Sequence, residues 1–188
     1  MRVEIITESI SQKIESIKKQ RLLIAIDGRC AAGKTTLAAH LRMVHNCNVV
    51  PMDDFFLQPE QRTPERLAEP GGNVDYERFV NEVLIPLTQG RPFSYRPYDC
   101  QKQDFMEAIQ IEPHYLNIIE GSYSCHPCFF DYYDLRIFLT INTTMQQSRI
   151  SKRNGEVCAA QFTEKWIPLE ERYFSAYSIE ERCDLCFS

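Results

Sequence analysis

The chain has 188 residues and a net charge of −5, and is 44% hydrophobic and 25% charged. That size suits one domain, or a core with a small appended element, and the acidic balance argues against nucleic acid as a partner. No apolar run approaches the roughly 18 residues that a membrane span needs. Residues 1–20 also lack the apolar centre of a signal peptide. A cytoplasmic protein without a membrane partner is expected.

Val3, Ile6, Ile10, Ile14 and Ile17 recur at helical spacing and predict an amphipathic helix over residues 3–19, packed on the domain edge. It defines an N-terminal element, 1–20, ahead of a main domain over 21–188. Leu22 to Ile26 reads as a short buried strand, and Leu37, Leu41 and Val44 then fall at i, i+4 and i+7 of a helix. Between them lies Gly28-Arg29-Cys30-Ala31-Ala32-Gly33-Lys34-Thr35-Thr36, a complete G-x-x-x-x-G-K-[ST] pattern between a strand and a helix. Glycines at 28 and 33 let the backbone bend around an anion with its N–H groups turned inward. The helix N-terminus adds positive potential. In such a loop Lys34 reaches the β- and γ-phosphates of a nucleotide, and the Thr35 hydroxyl serves Mg²⁺. Cys30 is small enough to fit, and a helix N-terminus can acidify its thiol and expose it to oxidation.

Asn48 to Met52 reads as a second strand ending in Asp53-Asp54-Phe55-Phe56. In open α/β sheets, ligand-binding residues gather at such carboxyl ends. Asp53 is therefore a candidate catalytic acid, and Asp54 either a helix cap or a catalytic group. Residues 57–73 carry three prolines and two glycines and form a long loop, with a helical turn near 63–68. A helix over 74–89 follows, stopped by Gly90 and disturbed by Pro86, with Asp75 able to cap its start. Phe93–Tyr98 and Ala108–Ile111 predict an antiparallel hairpin beside the main sheet, which Tyr98 could help to pack.

Leu116 to Gly121 is a third core strand with Glu120 at its end, and Leu135 to Ile141 a fourth. A helix over 144–153 ends in Arg149, Lys152 and Arg153. An irregular link over 154–160 leads to a helix over 162–177 bent at Pro168, and the last strand is 183–187. Strands alternating with helices call for a parallel sheet covered on both faces. Two C-x-x-C pairs, Cys125/Cys128 and Cys183/Cys186, raise zinc or thiol exchange. A pair at i and i+3 of a strand faces opposite ways, however, and the cysteines are expected to be reduced and partly buried.

Five further pieces accompany the loop: Met52-Asp53-Asp54-Phe55-Phe56, Asn73-Val74-Asp75-Tyr76, Tyr98-Asp99-Cys100, Ile118-Ile119-Glu120-Gly121, and the closing segment from Gln161 to Leu185. In this order and spacing the chain resembles the uridine kinase-like branch of the P-loop small-molecule kinases, from about residue 21 onward. The resemblance implies an α/β P-loop NTPase fold with a five-stranded parallel sheet in the order 2-3-1-4-5. An acceptor-side loop and hairpin over 54–112 and a short lid over 149–161 would accompany it. It implies ATP and Mg²⁺ as cofactors and a small-molecule phosphoryl acceptor, with assembly into a homo-oligomer left open.

By position, Asp53 matches the acid that activates the acceptor hydroxyl and meets the metal, and Glu120 the acid beside Mg²⁺. Asp75 and Tyr98 match acceptor-site residues, and Arg149, Lys152 and Arg153 a basic lid over the phosphates. Cys100 and Gln103 stand where uridine kinases have a phenylalanine and a histidine, so the acceptor position at Gln103 and the ring at 100 depart from the pattern. An acceptor other than a pyrimidine nucleoside is therefore an alternative, as is a nucleotide sensor without catalysis. No Asn-Lys-x-Asp string, the guanine-reading element of a GTPase switch, occurs.

Overall fold

The computed structural model describes residues 3–188, apart from the side chains of Val157 and Cys158. Helix α1, Val3–Ser16, lies against α2, Lys34–His45, held by Thr7 Oγ1 to His40 Nδ1 at 2.9 Å and Ser11 Oγ to His45 Nε2 at 2.7 Å. Between them in sequence runs β1, Leu22–Gly28, buried along its whole length. Strand β2, Asn48–Pro51, stops one residue before the expected end, because Met52–Phe55 winds into a 3₁₀ turn.

The long loop holds α3, Pro64–Ala68, capped by the Thr63 hydroxyl. Helix α4, Tyr76–Phe79, passes through a π-turn at Val80–Leu84 into α5, Ile85–Gln89, which carries Pro86 in its first turn. Proline lacks an N–H and crowds the preceding turn, and the widened turn ahead of it absorbs both effects. The hairpin forms in two pieces. Strands β3, Phe93–Tyr95, and β6, Ile109–Ile111, pair at its base, while β4, Tyr98–Asp99, and β5, Asp104–Phe105, pair at its tip. Arg96-Pro97 breaks the ladder between them, as a residue without an N–H must.

Strands β7, Leu116–Glu120, and β8, Leu135–Leu139, follow as expected. After α6, Thr143–Asn154, the expected irregular link is instead helix α7, Glu156–Gln161. A second π-turn, Phe162–Trp166, precedes α8, Ile167–Tyr177, with Pro168 in its first turn, repeating the arrangement at Pro86. Helix α9, Ile179–Arg182, and strand β9, Leu185–Phe187, end the chain. Cys183 therefore lies ahead of the strand, its Sγ 3.9 Å from Cys125 Sγ, while Cys186 turns to the Glu180 carbonyl. The described cysteines are free thiols.

The main sheet is all parallel, in the order β2-β7-β1-β8-β9. Counting its members along the chain, that is 2-3-1-4-5. Alternation along β1 divides the core in two. Leu22, Ile24 and Ile26 face α1 and α2 with Ile10, Ile14, Leu37 and Leu41, whereas Leu23 and Ala25 face Phe55, Phe79, Phe129 and Tyr173. No described helix is long and apolar enough to cross a membrane.

On the second face His126 is 4% exposed, stacked on Tyr76 at 4.9 Å and parallel to Tyr173 at 6.1 Å. Burial pushes its pKa down to about 4. The unfolded chain binds a proton near the ordinary histidine value of about 6.5, and the native imidazole refuses it until about 4. The stabilisation is thus complete above the unfolded value and is lost as the pH falls through this window. Melting temperatures of wild type and His126→Gln should converge between about pH 6.5 and pH 4. Carboxyls with raised pKa values act oppositely but equally in both proteins. A constant difference across the window would show that His126 does not titrate there.

Candidate active site

The carboxyl ends of β1, β2, β7 and β8 open onto one cleft of about 1260 Å³. Its floor is the loop between β1 and α2. At Gly28, φ is +131° and a Cβ would lie 2.0 Å from the Leu139 carbonyl oxygen, so only glycine lets β1 leave the sheet beside β8. Gly33 enters α2 in the left-handed region, at φ 104°. Cys30, Ala31, Ala32, Gly33, Lys34, Thr35 and Thr36 all line the cleft.

Asp27, fully buried, sets the loop from below. Its Oδ1 accepts from the N–H groups of Gly28 at 2.7 Å and Tyr123 at 3.2 Å. Its Oδ2 accepts from the Cys125 N–H at 2.8 Å and the Tyr173 hydroxyl at 2.9 Å. Burial pushes its carboxyl up, while these donors and Lys34 pull it back. Two helices hold the loop from the sides. From α6, Gln146 Nε2 donates to the Cys30 carbonyl at 3.1 Å, and Arg149 to the Ala31 carbonyl at 2.9 Å. From α8, Glu171 takes two hydrogen bonds from Arg29 at 2.7 and 3.1 Å, and Glu170 accepts from the Cys30 N–H at 3.0 Å.

These contacts correct two expectations. The Arg29 side chain points away from the cleft, toward Glu171, Glu180 and Thr140, and its N–H donates to the Leu139 carbonyl at 2.9 Å, so neither is turned to a phosphate. The Cys30 N–H is already taken by Glu170. The Cys30 thiol is not acidified either: burial and the Glu170 carboxylate push its pKa up, against Lys34 and Arg153.

Lys34 is 9% exposed and donates to Gly28 O at 2.6 Å, Arg29 O at 3.1 Å and Ser122 Oγ at 3.2 Å. The Thr35 hydroxyl lies 3.4 Å from Glu120 Oε2. Burial pushes the Glu120 carboxyl up, and Asp53 adds to the rise. Asp53 lines the cleft with its side chain exposed to it. Desolvation raises its pKa, and the charges of Lys34 and Arg153 draw it down. At Gly121 φ is +134° and a Cβ would stand 3.0 Å from Met52 Cβ and 3.6 Å from Asp53 Oδ1, so glycine lets the Glu120 and Asp53 ends approach. Arg149 and Arg153 close the other side, with the Arg153 guanidinium 5.7 Å from the centre of the Phe162 ring.

Asp53 and Asp54 sit in the 3₁₀ turn that follows β2. Asp54 is no helix cap: it accepts from the Tyr95 hydroxyl at 2.9 Å and ties the turn to the hairpin. Three acceptor-site candidates do not reach the cleft. Asp75 caps α4 through the Arg78 N–H at 3.0 Å and accepts from Gln61 Nε2 at 2.8 Å. Tyr98 is buried edge-on against Phe105, and Gln103 is an exposed turn residue at φ 54°. The part of the cleft beyond β2 is lined instead by Phe56, Leu57, Arg62, Asn73, Cys100 and Tyr123. The Asn73 Nδ2 is buried there without a partner among the described residues. Asn73 belonged to one of the quoted motif pieces. Arg62, Ser122 and Glu170 carried no sequence signal beyond their neighbours.

The G-x-x-x-x-G-K-[ST] loop thus follows the central strand of a 2-3-1-4-5 parallel sheet and shares its cleft with Arg149 and Arg153 of α6. Over 100% of both chains, the structure matches a possible uridine kinase from Bacillus stearothermophilus at TM-score 0.77 and 19% identity. Over 100% of both chains it also matches a candidate fructose transport system kinase from Silicibacter sp. TM1040, at TM-score 0.73 and 19% identity. The chain has the fold of the P-loop kinases. A circularly permuted candidate P-loop kinase from Saccharomyces cerevisiae matches at TM-score 0.69 and 11% identity, over 100% of this chain and 99% of that one. No protein-family model and no curated protein matches the sequence.

Proposed function

We propose that the protein transfers the γ-phosphoryl group of ATP, with Mg²⁺, to a hydroxyl of a small metabolite, a nucleoside being the first candidate. The observation that carries this reading is the convergence of Lys34, Thr35, Asp53 and Glu120 on the floor of one cleft. A sensor needs only the loop. An acid placed beside both the lysine and the metal-side carboxylate is what acceptor chemistry needs in addition.

The residues suit both cofactors. The Ala31 and Gly33 N–H groups and the start of α2 suit phosphates, while the Ala32 N–H donates to the Arg29 carbonyl at 3.1 Å. The Thr35 hydroxyl and the Asp53 and Glu120 carboxylates offer hard oxygen donors near one another. Magnesium takes one or two such groups together with phosphate oxygens and water. When bound, the pair would supply the phosphoryl group and a divalent cation to neutralise the charge on its oxygens. The protein then has four tasks. Lys34 neutralises charge on the transferred group. Arg149 and Arg153 cover it from α6. Asp53 accepts the proton of the acceptor hydroxyl, for which a carboxyl raised by desolvation is the better base. The acceptor arm orients that hydroxyl through the free Asn73 amide and Arg62.

A second reading, a non-nucleoside acceptor, is favoured by the same arm. Cys100 offers no ring to stack on a base, and Gln103 lies out on the hairpin turn. Uridine is therefore expected to be a poor acceptor. ATP turnover measured with nucleosides, sugars and vitamin precursors, alone and with Mg²⁺ removed by chelation, tests both readings. Saturable phosphorylation of uridine at micromolar concentration would reject the non-nucleoside reading. Nucleotide binding without turnover for any acceptor class would leave a sensor.

A further inference from the structure

We propose that Glu170 is a positioning residue for phosphoryl transfer, holding Lys34 through Ser122 without neutralising it. The inference rests on the kinase reading above. Glu170 is 6% exposed, on the first turn of α8, and its two oxygens are used differently. Oε2 accepts from the Cys30 N–H at 3.0 Å, and Oε1 takes the Ser122 hydroxyl at 2.6 Å.

The hydrogen-bond directions are fixed by chemistry. An ammonium donates and cannot accept, so Ser122 Oγ must accept from Lys34 Nζ at 3.2 Å. The serine hydrogen is then free for the short bond to Glu170. Both glutamate oxygens accept, an arrangement that favours the carboxylate over the acid and offsets part of the rise that burial causes. The result is a one-way relay: Lys34 to Ser122 to Glu170.

The relay meets a hazard particular to this site. Lys34 lowers the pKa values of Asp27, Asp53, Glu120 and Glu170 alike, so its ammonium sits among four acids. A direct pair with Asp53 or Glu120 would occupy the base or a metal ligand and cancel the charge meant for the phosphoryl group. Among the described residues, Lys34 forms no such ion pair. Two carbonyls and one hydroxyl hold it instead, and the serine stands between it and Glu170. The adjacent Glu171 grips Arg29, and Tyr173 reaches Asp27, so the relay is anchored to a helix that braces the whole loop.

Glutamine at 170 keeps the shape but has one acceptor oxygen. With that oxygen on the Cys30 N–H, its amide would donate to Ser122, and the hydroxyl could no longer pass its hydrogen on. The test is a cycle of Glu170→Gln, Ser122→Ala and the double variant, with kcat/KM for ATP, binding of a non-hydrolysable ATP analogue and melting temperature measured for each. Each single change should lower kcat/KM by about ten- to a hundredfold, as small misplacements of reacting groups do. The double variant should lose no more than the worse single one, with melting temperatures near wild type. Losses that multiply, or a Glu170→Gln protein with wild-type kcat/KM, would overturn the relay and leave the kinase reading intact. A wild-type protein that fails to bind the analogue would overturn the kinase reading itself.

Discussion

Lys34→Ala is expected to abolish productive ATP use while leaving the fold in place. Removing one group that stabilises developing transition-state charge typically costs about a hundred- to a thousandfold in rate. Here the loss should be at least that, because Arg149 and Arg153 reach the site from α6 and not from the floor. The side chain is nearly buried, yet its partners are two carbonyls and Ser122 at the cleft, which water can reach once the chain is cut back. It packs no core cluster on either face of the sheet. The electrostatic cost is the more serious one, since four acids lose their shared cation and rise further in pKa. A fall of a few degrees in melting temperature, equivalent to about 1 kcal/mol for a protein of this size, should accompany the loss of turnover. Normal turnover would refute the role given to Lys34. Collapse of the melting temperature by tens of degrees would show that the residue is structural.

The sheet was legible because its signals are local. Each core strand is a short apolar run, and β1 is followed at once by a motif whose glycines and lysine have few other uses. The loop, Asp53 and Glu120 were legible for the same reason: each sits at the end of such a run. What failed to show depends on approach in space. Glu170 lies 140 residues beyond Cys30 in the chain, and Tyr173 lies 146 beyond Asp27. Helical periodicity says which face of α8 is buried but not that a glutamate on it meets a backbone N–H.

The acceptor side misled for a different reason. Asp75 and Tyr98 occupy plausible positions in sequence, but Asp75 answers the capping need of α4, and Tyr98 packs on Phe105. The two π-turns could not be read in advance, although the prolines that provoke them could.

The Asp53→Asn and Asp54→Asn variants form the sharpest comparison, because adjacent acids in one short turn are given different work. Asp54 meets the Tyr95 hydroxyl at 2.9 Å, and an asparagine oxygen can accept the same bond. That variant should retain most of its turnover and its melting temperature. Asp53 faces Lys34, Arg153 and Glu120 across the cleft, and the amide can neither take a proton nor match a carboxylate at a metal. Loss of a general base alone costs on the order of a hundred- to ten-thousandfold in rate. ATP binding should change far less, since Lys34, Thr35 and the loop N–H groups remain.

The pH profile adds an independent reading. Because desolvation raises the Asp53 carboxyl, the acid limb of kcat/KM should lie above the ordinary aspartate range and rise as that proton is lost. In Asp53→Asn the residual activity should lose this limb, while Asp54→Asn should keep it. Single-turnover rates, analogue binding and the two pH profiles decide the assignment. An inactive Asp54→Asn beside an active Asp53→Asn would move the base to the neighbouring residue, and with it the direction from which the acceptor approaches.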